Sequence, residues 1–287
     1  TYIIEAPSYD RNVGGFCALH YLADRLTYLG ADVYISTDQL NPRWQAKTIN
    51  LDQPFFLGDS LVDRVYKALG IFKKYVLLAT LKRKLTRIQN RLFPKVLWGH
   101  FNKDQTVVIC GEALVGVPFG AKHVVRWIMN TPGVCGGDGL YSQTDHIFQY
   151  HPWFTVNPKY EVKGLLTAID LDYQLSTYQN KNLPNRKGGA YLVHADPLLE
   201  KMTDEEVATF FNSIETFISY DDMTWISVQA ALCGCKSIII PGEGDRSLEN
   251  LKKINRINGV AYGFEDEEWV RSTAHELRPH YEAVNAQ

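Results

Sequence analysis

Apolar and polar positions alternate between two regular modes along this chain. Thr1–Glu5 (TYIIE) is a short apolar run that predicts a buried strand, followed by the polar stretch APSYDRNVGG. From Phe16 to Leu29 the apolar residues Phe16, Leu19, Leu22, Leu26 and Leu29 recur at spacings of three and four, one face of a helix. Gly30 stops that helix, and Ala31–Ser36 (ADVYIS) predicts a second strand. Strand, glycine loop, helix, glycine and strand make a βαβ unit, the opening of a doubly wound α/β domain with a mostly parallel, buried sheet. Thr106–Cys110 (TVVIC) and His123–Met129 (HVVRWIM) are further strands of the same half.

A second α/β series starts near Gly188. Its expected elements are a strand at Ala190–His194, a helix at Thr203–Asn212 and a strand at Thr216–Tyr220. A helix from Met223 to Leu232, a strand at Lys236–Pro241, a helix around Leu248–Asn255 and a strand at Val260–Tyr262 complete it. Pro279 is expected to interrupt a last helical segment, Glu267–Ala283. The stretch from Tyr150 to Lys187 reads as loop-rich. The pattern therefore predicts two Rossmann-like domains, 1–160 and 161–265, followed by a helical segment 266–287.

One segment departs from this rhythm. Asp63–Lys95 holds ten basic residues against the single acid Asp63, with an apolar stripe at Val62, Val65, Leu69, Phe72, Val76 and Ala79. An amphipathic basic insertion of this kind suits an anionic membrane surface; the plainer alternative is a solvated helical hairpin. The apolar run Tyr75–Leu81 is far shorter than the ~20 residues needed to cross a bilayer.

Composition changes the picture little. Over 287 residues, 45% are hydrophobic and 22% charged, which excludes a disordered chain. The net charge of −2 gives no general attraction for nucleic acid. The five cysteines, Cys17, Cys110, Cys135, Cys233 and Cys235, fit free thiols of a reducing cytoplasm better than a disulfide framework. Cys233-Gly234-Cys235 lacks metal-site spacing. Asp170-Leu171-Asp172 has the form of a DxD metal motif, but it follows no nucleotide-binding unit in the required order. No nucleophile elbow, Walker lysine or full dinucleotide fingerprint is present.

Two stretches carry candidate chemistry. Gly14-Gly15 precede the first helix, where backbone N–H groups and the helix dipole favour an anion such as a diphosphate. Positive φ at these glycines is a further expectation. Thr216–Pro241 (TFISYDDMTWISVQAALCGCKSIIIP) ends a strand on Tyr220-Asp221, opens a helix with Asp222 and Thr224 as caps, and closes on Gly234 before another strand. This stretch resembles the nucleotide-sugar half of GT-B glycosyltransferases. Their E-x7-E positions fall on Asp221 and Gln229, and the A-x-x-G tail on Ala231–Gly234. Gln229 hydrogen-bonds but carries no charge. GGFCALHYLADRLTYLGADVYI resembles the GT-B opening. VVRWIMNTPG resembles a segment of bacterial polysaccharide enzymes of the rhamnosyltransferase-like, family 4-like kind.

The resemblance implies a two-domain α/β GT-B fold with a cleft, and a metal-independent glycosyltransferase with no cofactor beyond its nucleotide-sugar co-substrate (a UDP-, GDP- or dTDP-sugar). Donor-binding residues would be Gly14, Gly15, Arg126, Asn130, His194, Tyr220, Asp221, Thr224 and Gln229. Relatives often have a basic residue where this chain has His194-Ala195-Asp196, so Arg126, Lys236 or Arg246 would have to meet the diphosphate. Catalytic candidates are Asp221 for donor orientation, with Asp10, His20 or Glu112 as general base. The acceptor would be a glycan or a lipid-linked glycan, with nucleic acid no partner and the enzyme cytoplasmic or peripheral at the inner membrane face. A non-catalytic nucleotide- or glycan-binding Rossmann module is the competing class.

Overall fold

The computed structural model describes residues 1–11, 13–37, 40–41, 43–49, 98–114, 116–136, 139–192, 199, 201–221, 225–242, 249 and 256–285. The expected basic insertion 63–95, the caps Asp222 and Thr224, His194 and Arg246 lie outside the described residues. The chain divides into two units, Thr1–Ala168 and Ile169–Gln287.

The first unit is built on β1 (Tyr2–Glu5), α1 (Gly14–Tyr28), β2 (Val33–Ser36), β3 (Lys47–Ile49), β4 (Val107–Gly111), β5 (His123–Ile128), β6 (His146–Gln149) and β7 (Val162–Leu165). Its seven strands lie in the order β3-β2-β1-β4-β5-β6-β7. Every pair is parallel. Both faces of the central strands are covered, as a parallel sheet demands. Ile4 packs with Leu19, Leu22 and Trp127 on the α1 side. Its neighbour Ile3 points the other way, among Val108, Cys110 and Val124. The end of α1 is a Schellman turn: Gly30 at φ +84° donates to Thr27 O, and Ala31 N donates to Leu26 O.

The second unit contains α2 (Leu171–Thr177), β8 (Gly189–Leu192), α3 (Asp204–Ser213), β9 (Thr216–Ser219), α4 (Ile226–Leu232), β10 (Lys236–Ile239), β11 (Val260–Tyr262) and α5 (Glu267–Asn285). Its four strands run β11-β10-β9-β8, again all parallel. A capping box opens α3: Thr203 Oγ1 accepts from Glu206 N and Glu206 Oε2 accepts from Thr203 N. Phe211, Phe217, Val228 and Ala230 form the centre of the core.

Three details differ from the sequence expectation. The loop-rich stretch contains β7, whose pairing with β6 keeps 162–165 in the first unit and moves the boundary from 160 to Ala168. Trp127 Nε1 also donates to Leu166 O at 2.8 Å, tying that segment down. Its last part is α2. Pro279 does not break α5, because packing holds both sides of it: Leu277 is buried, Arg278 donates to Leu175 O, and Tyr281 meets Trp225 edge-on. In agreement with a helical last segment, α5 packs on α2, α4 and β11.

Gly234 follows α4 at φ +90°, and a Cβ there would lie 2.5 Å from Asn180 Nδ2. Asn180 cannot yield freely, since its Oδ1 accepts from Arg186 Nη2 at 2.8 Å and Asn182 N at 2.9 Å. Gly263 has a similar φ of +86° but open space around it. Gly234→Ala should therefore cost more than Gly263→Ala, and more than ~1 kcal/mol, in urea unfolding. Equal losses would show that the Asn180 contact is not a constraint.

Candidate functional site

Parallel strands gather their carboxyl ends on one edge of each sheet. In the first unit, β1 is followed through α1 by β2 on one side, while β4 lies on its other side. This reversal is the topological switch point at which open α/β sheets accept ligands. The elements that end or begin there are β1 at Glu5, α1 at Gly14 and β4 at Gly111, with Glu112 next in sequence. The segment after β5, Met129-Asn130, reaches the same edge.

Gly14 and Gly15 form the first turn of α1 rather than a loop before it, and neither has positive φ. The expected need for positive φ is thereby corrected. Val13 supplies no side-chain cap and the first turn holds no acid. Phe16 N and Cys17 N both reach Val13 O, at 3.0 and 3.1 Å. Gly14 and Gly15 N–H therefore remain as the leading donors of the turn, where an anion gains from the helix dipole. Asp10 is exposed in the preceding loop, its carbonyl accepting from Val13 N and Cys17 Sγ.

Glu112 is buried at the carboxyl edge. Its Oε2 accepts the Met129 N–H at 3.1 Å, and its carbonyl accepts from Tyr141 OH at 3.4 Å. The thioether of Met129 lies over two glycines: a Cβ at Gly111 would meet Met129 Cε at 3.4 Å, and one at Gly15 would meet Cε and Sδ at 3.9 Å. Nothing in the sequence marked Met129, because the contact joins three elements far apart in the chain.

Three expected site residues have structural work instead. Arg126 is fully buried, with Nη1 donating to Leu114 O at 2.5 Å and Nη2 to Gly116 O at 2.8 Å and Asp145 Oδ2 at 3.0 Å. Tyr141 covers its guanidinium face. It ties the loop after β4 to the segment before β6 and is no open diphosphate contact. Asn130 is half-buried and bonds within its own turn: Oδ1 accepts from Thr131 N at 2.7 Å and Nδ2 donates to Cys135 Sγ at 3.2 Å. His20 is fully buried on α1 against Tyr9 and Trp44, with Nε2 at 2.8 Å from Pro7 O. A carbonyl only accepts, so Nε2 carries the proton and His20 braces the loop rather than serving a solvent-facing base.

In the second unit the carboxyl ends present Tyr220-Asp221 after β9 and Gly263-Phe264 after β11. Tyr220 and Phe264 are 49% and 59% exposed. The turn at Asp221 is set by Ser219, whose hydroxyl donates to Asp221 O at 2.8 Å and accepts from Asp221 N at 3.1 Å. Ser219 is fully buried, and the sequence reading missed it. Gln229 donates through Nε2 to Gln174 Oε1 at 2.8 Å, the oxygen that also accepts from Trp225 Nε1. Lys236 begins β10, at the amino edge, and pairs with Glu267, so it cannot stand in for a phosphate ligand at the carboxyl edge. Asp170 caps α2 through Tyr173 N, and Asp172 accepts from Asn285 Nδ2. Among the described residues no three His, Cys, Asp or Glu side chains gather as a metal site. None of the five cysteines, all of them described, is in a disulfide; Cys110, Cys233 and Cys235 are buried, whereas Cys135 is exposed.

No protein-family model and no curated protein matches this chain. Among solved structures, the chain is similar to CalG4, the calicheamicin glycosyltransferase, with 10% identity over 98% of this chain and 92% of that one at a TM-score of 0.37. It is similar to LpCGTa, solved in complex with UDP, with 12% identity over 99% and 92% at 0.40. Acinetobacter baumannii MurG shares 10% identity over 98% and 93% at 0.32.

Burial also sets a pH response. Desolvation lowers the His20 pKa below the ordinary 6.5 of an imidazole, despite the Pro7 hydrogen bond that opposes it. Below 6.5 the unfolded chain binds more protons than the folded one, so stability falls as pH drops through that window. Burial gives His151 a shift of the same sign. His20→Gln should flatten, not abolish, the loss of urea midpoint between pH 6.5 and about 5. An unchanged slope would remove His20 from this account.

Proposed function

We propose that the chain is a glycosyltransferase that moves a sugar from a nucleotide-sugar donor to a glycan or lipid-linked glycan acceptor, in surface polysaccharide synthesis. The observation that carries this reading is the second unit's β9–α4–β10 run. Tyr220-Asp221 sits on a turn fixed by Ser219 at the carboxyl edge, and α4 ends on Ala231-Leu232-Cys233-Gly234 before the buried β10. The nucleotide-sugar pattern read from the sequence therefore stands on elements able to present it.

In this reading Asp221 and the exposed Tyr220 hold the donor. In the first unit the N–H groups of Gly14 and Gly15, with the α1 dipole, favour an anionic group without a metal. Glu112 and Asp10 are the base candidates that remain after His20. Val13, Val117, Val134 and Leu140 are exposed apolar residues in segments adjoining the carboxyl ends of β1, β4 and β5. They favour an acceptor with a lipid part, and the basic segment 63–95 adds attraction to an anionic membrane face in the cytoplasm. No helix among the described residues is long and apolar enough to cross a membrane. A binding module without catalysis is favoured by one observation, the Gln229 carboxamide in place of an acid and already bonded to Gln174.

Calorimetric titration with UDP, GDP and dTDP tests the reading. One of them should bind, and Asp221→Ala should weaken that binding about tenfold, ~1.4 kcal/mol. Unchanged affinity would remove Asp221 from the site, and no binding by any of the three would remove the nucleotide-sugar reading itself.

A further inference from the structure

Two glutamines of the second unit meet where α2, α4 and α5 come together. Gln174 stands on α2 and Gln229 on α4, and Gln174 Oε1 accepts twice: from Trp225 Nε1 at 3.0 Å and from Gln229 Nε2 at 2.8 Å. An indole N–H only donates, so the Gln174 atom that faces Trp225 is its oxygen. That oxygen meets Gln229 only through a donor, which turns the Gln229 NH2 inward and its Oε1 outward. The indole is itself seated, since Tyr281 of α5 packs edge-on against it at 5.0 Å. Nor is α2 loose: Leu171 and Leu175 are buried in the core, and Arg278 of α5 donates to Leu175 O. Tertiary contacts therefore fix both carboxamides, against the rotamer freedom that a half-buried glutamine otherwise keeps.

Two atoms are left over. Gln174 Nε2 and Gln229 Oε1 have no partner among the described residues, and neither atom is buried. One donates and the other accepts. Each lies about 2.3 Å across its own carboxamide from the 2.8 Å hydrogen bond they flank, so their separation is at most about 7.5 Å. Neighbouring hydroxyls of a sugar ring, about 2.8 Å apart, bridge such a span with hydrogen bonds of ~2.8 Å at each end. One hydroxyl donates to Gln229 Oε1 and the next accepts from Gln174 Nε2. The pair carries no charge, and its outward oxygen repels a phosphate or carboxylate, so it selects neutral hydroxyls. Its place suits a ligand, because α4 begins after the Tyr220-Asp221 turn at the carboxyl end of β9. We propose that Gln174 and Gln229 are a preset donor–acceptor pair for two neighbouring hydroxyls of a sugar, with Gln174 the positioning residue that turns the Gln229 oxygen outward. The inference rests on the proposed function in one respect, that the ligand carries a sugar.

Calorimetry and the side-chain 15N amide signals of the full-length protein test the pair, the signals being assigned by their loss in Gln174→Met and Gln229→Met. UDP, GDP and dTDP are titrated, and separately methyl glucoside and methyl galactoside, which distinguish a nucleotide ribose from another sugar. Any binder is then compared with forms that lack one sugar hydroxyl, in wild type, Gln174→Met and Gln174→Glu, with melting temperatures as a check on folding. In the wild type the ligand should shift both amide signals, and loss of a bonded hydroxyl should weaken binding about five- to tenfold. Gln174→Met should reduce that discrimination to less than about twofold, whereas Gln174→Glu, whose carboxylate still accepts from Trp225 and Gln229, should restore it to about threefold. A glycoside that binds in this way while no diphosphate binds keeps the pair and overturns the nucleotide-sugar reading. If a diphosphate binds with both amide signals unmoved, or with the same hydroxyl discrimination in folded Gln174→Met as in wild type, the pair is overturned and the nucleotide-sugar reading survives. If no probe binds, both fail together.

Discussion

Parallel strand pairing is the constraint on which the rest depends. An antiparallel neighbour would send carboxyl ends to opposite edges, whereas here every pair in both sheets is parallel. Each unit therefore collects its strand ends, and the loops that follow them, on a single edge. Within the first sheet, β4 lies beside β1 opposite β2, the reversal of strand order at which open α/β sheets accept ligands. The first turn of α1, Gly111, Glu112 and Met129 lie at that reversal because the strand directions bring them to one edge.

A second requirement is that these edge loops keep their shape. Arg126 shows how this is done inside the sheet: a strand residue sends a cation toward the loop after β4, where the carbonyls of Gly111, Leu114 and Gly116 receive it together with Asp145 from the segment before β6. Burying an ion pair is expensive, and here neutral carbonyls share the two Nη groups of the guanidinium with the carboxylate. Its Coulomb energy matters less than the geometry it enforces. Ser219 does the same in the second unit with a neutral hydroxyl, fixing the backbone on which Asp221 is carried. Arg186 performs the corresponding task at the back of that unit, donating to the carbonyls of Phe211, Ile214 and Cys233 at helix ends.

The buried strands and their order of appearance could be read from the chain, since Ile3-Ile4, Val107–Cys110 and Ile238–Ile240 are continuous apolar runs. The edge elements could not. β3 is three residues long with two of them exposed, and β7 interrupts its run with Lys163 and Gly164, so neither carries a hydrophobic period. Residue chemistry was equally divided. Gly14-Gly15 and Tyr220-Asp221 are local signals, visible because each stands at a strand–helix junction. The fate of Arg126 depends on partners ten to nineteen residues distant, and that of His20 on Tyr9, Pro7 and Trp44 closing around it. An arginine or histidine in isolation looks like a ligand. Packing decides whether it is one.

The central claim is that ligand binding belongs to the carboxyl edges of the two sheets. Amide hydrogen–deuterium exchange with and without a saturating nucleoside diphosphate measures this directly, peptide by peptide. The account predicts slowed exchange at residues 13–17 or at 219–221, with none at the amino edges around residues 30–33 and 105–107. Protection confined to those amino edges, or spread evenly over both, would contradict it.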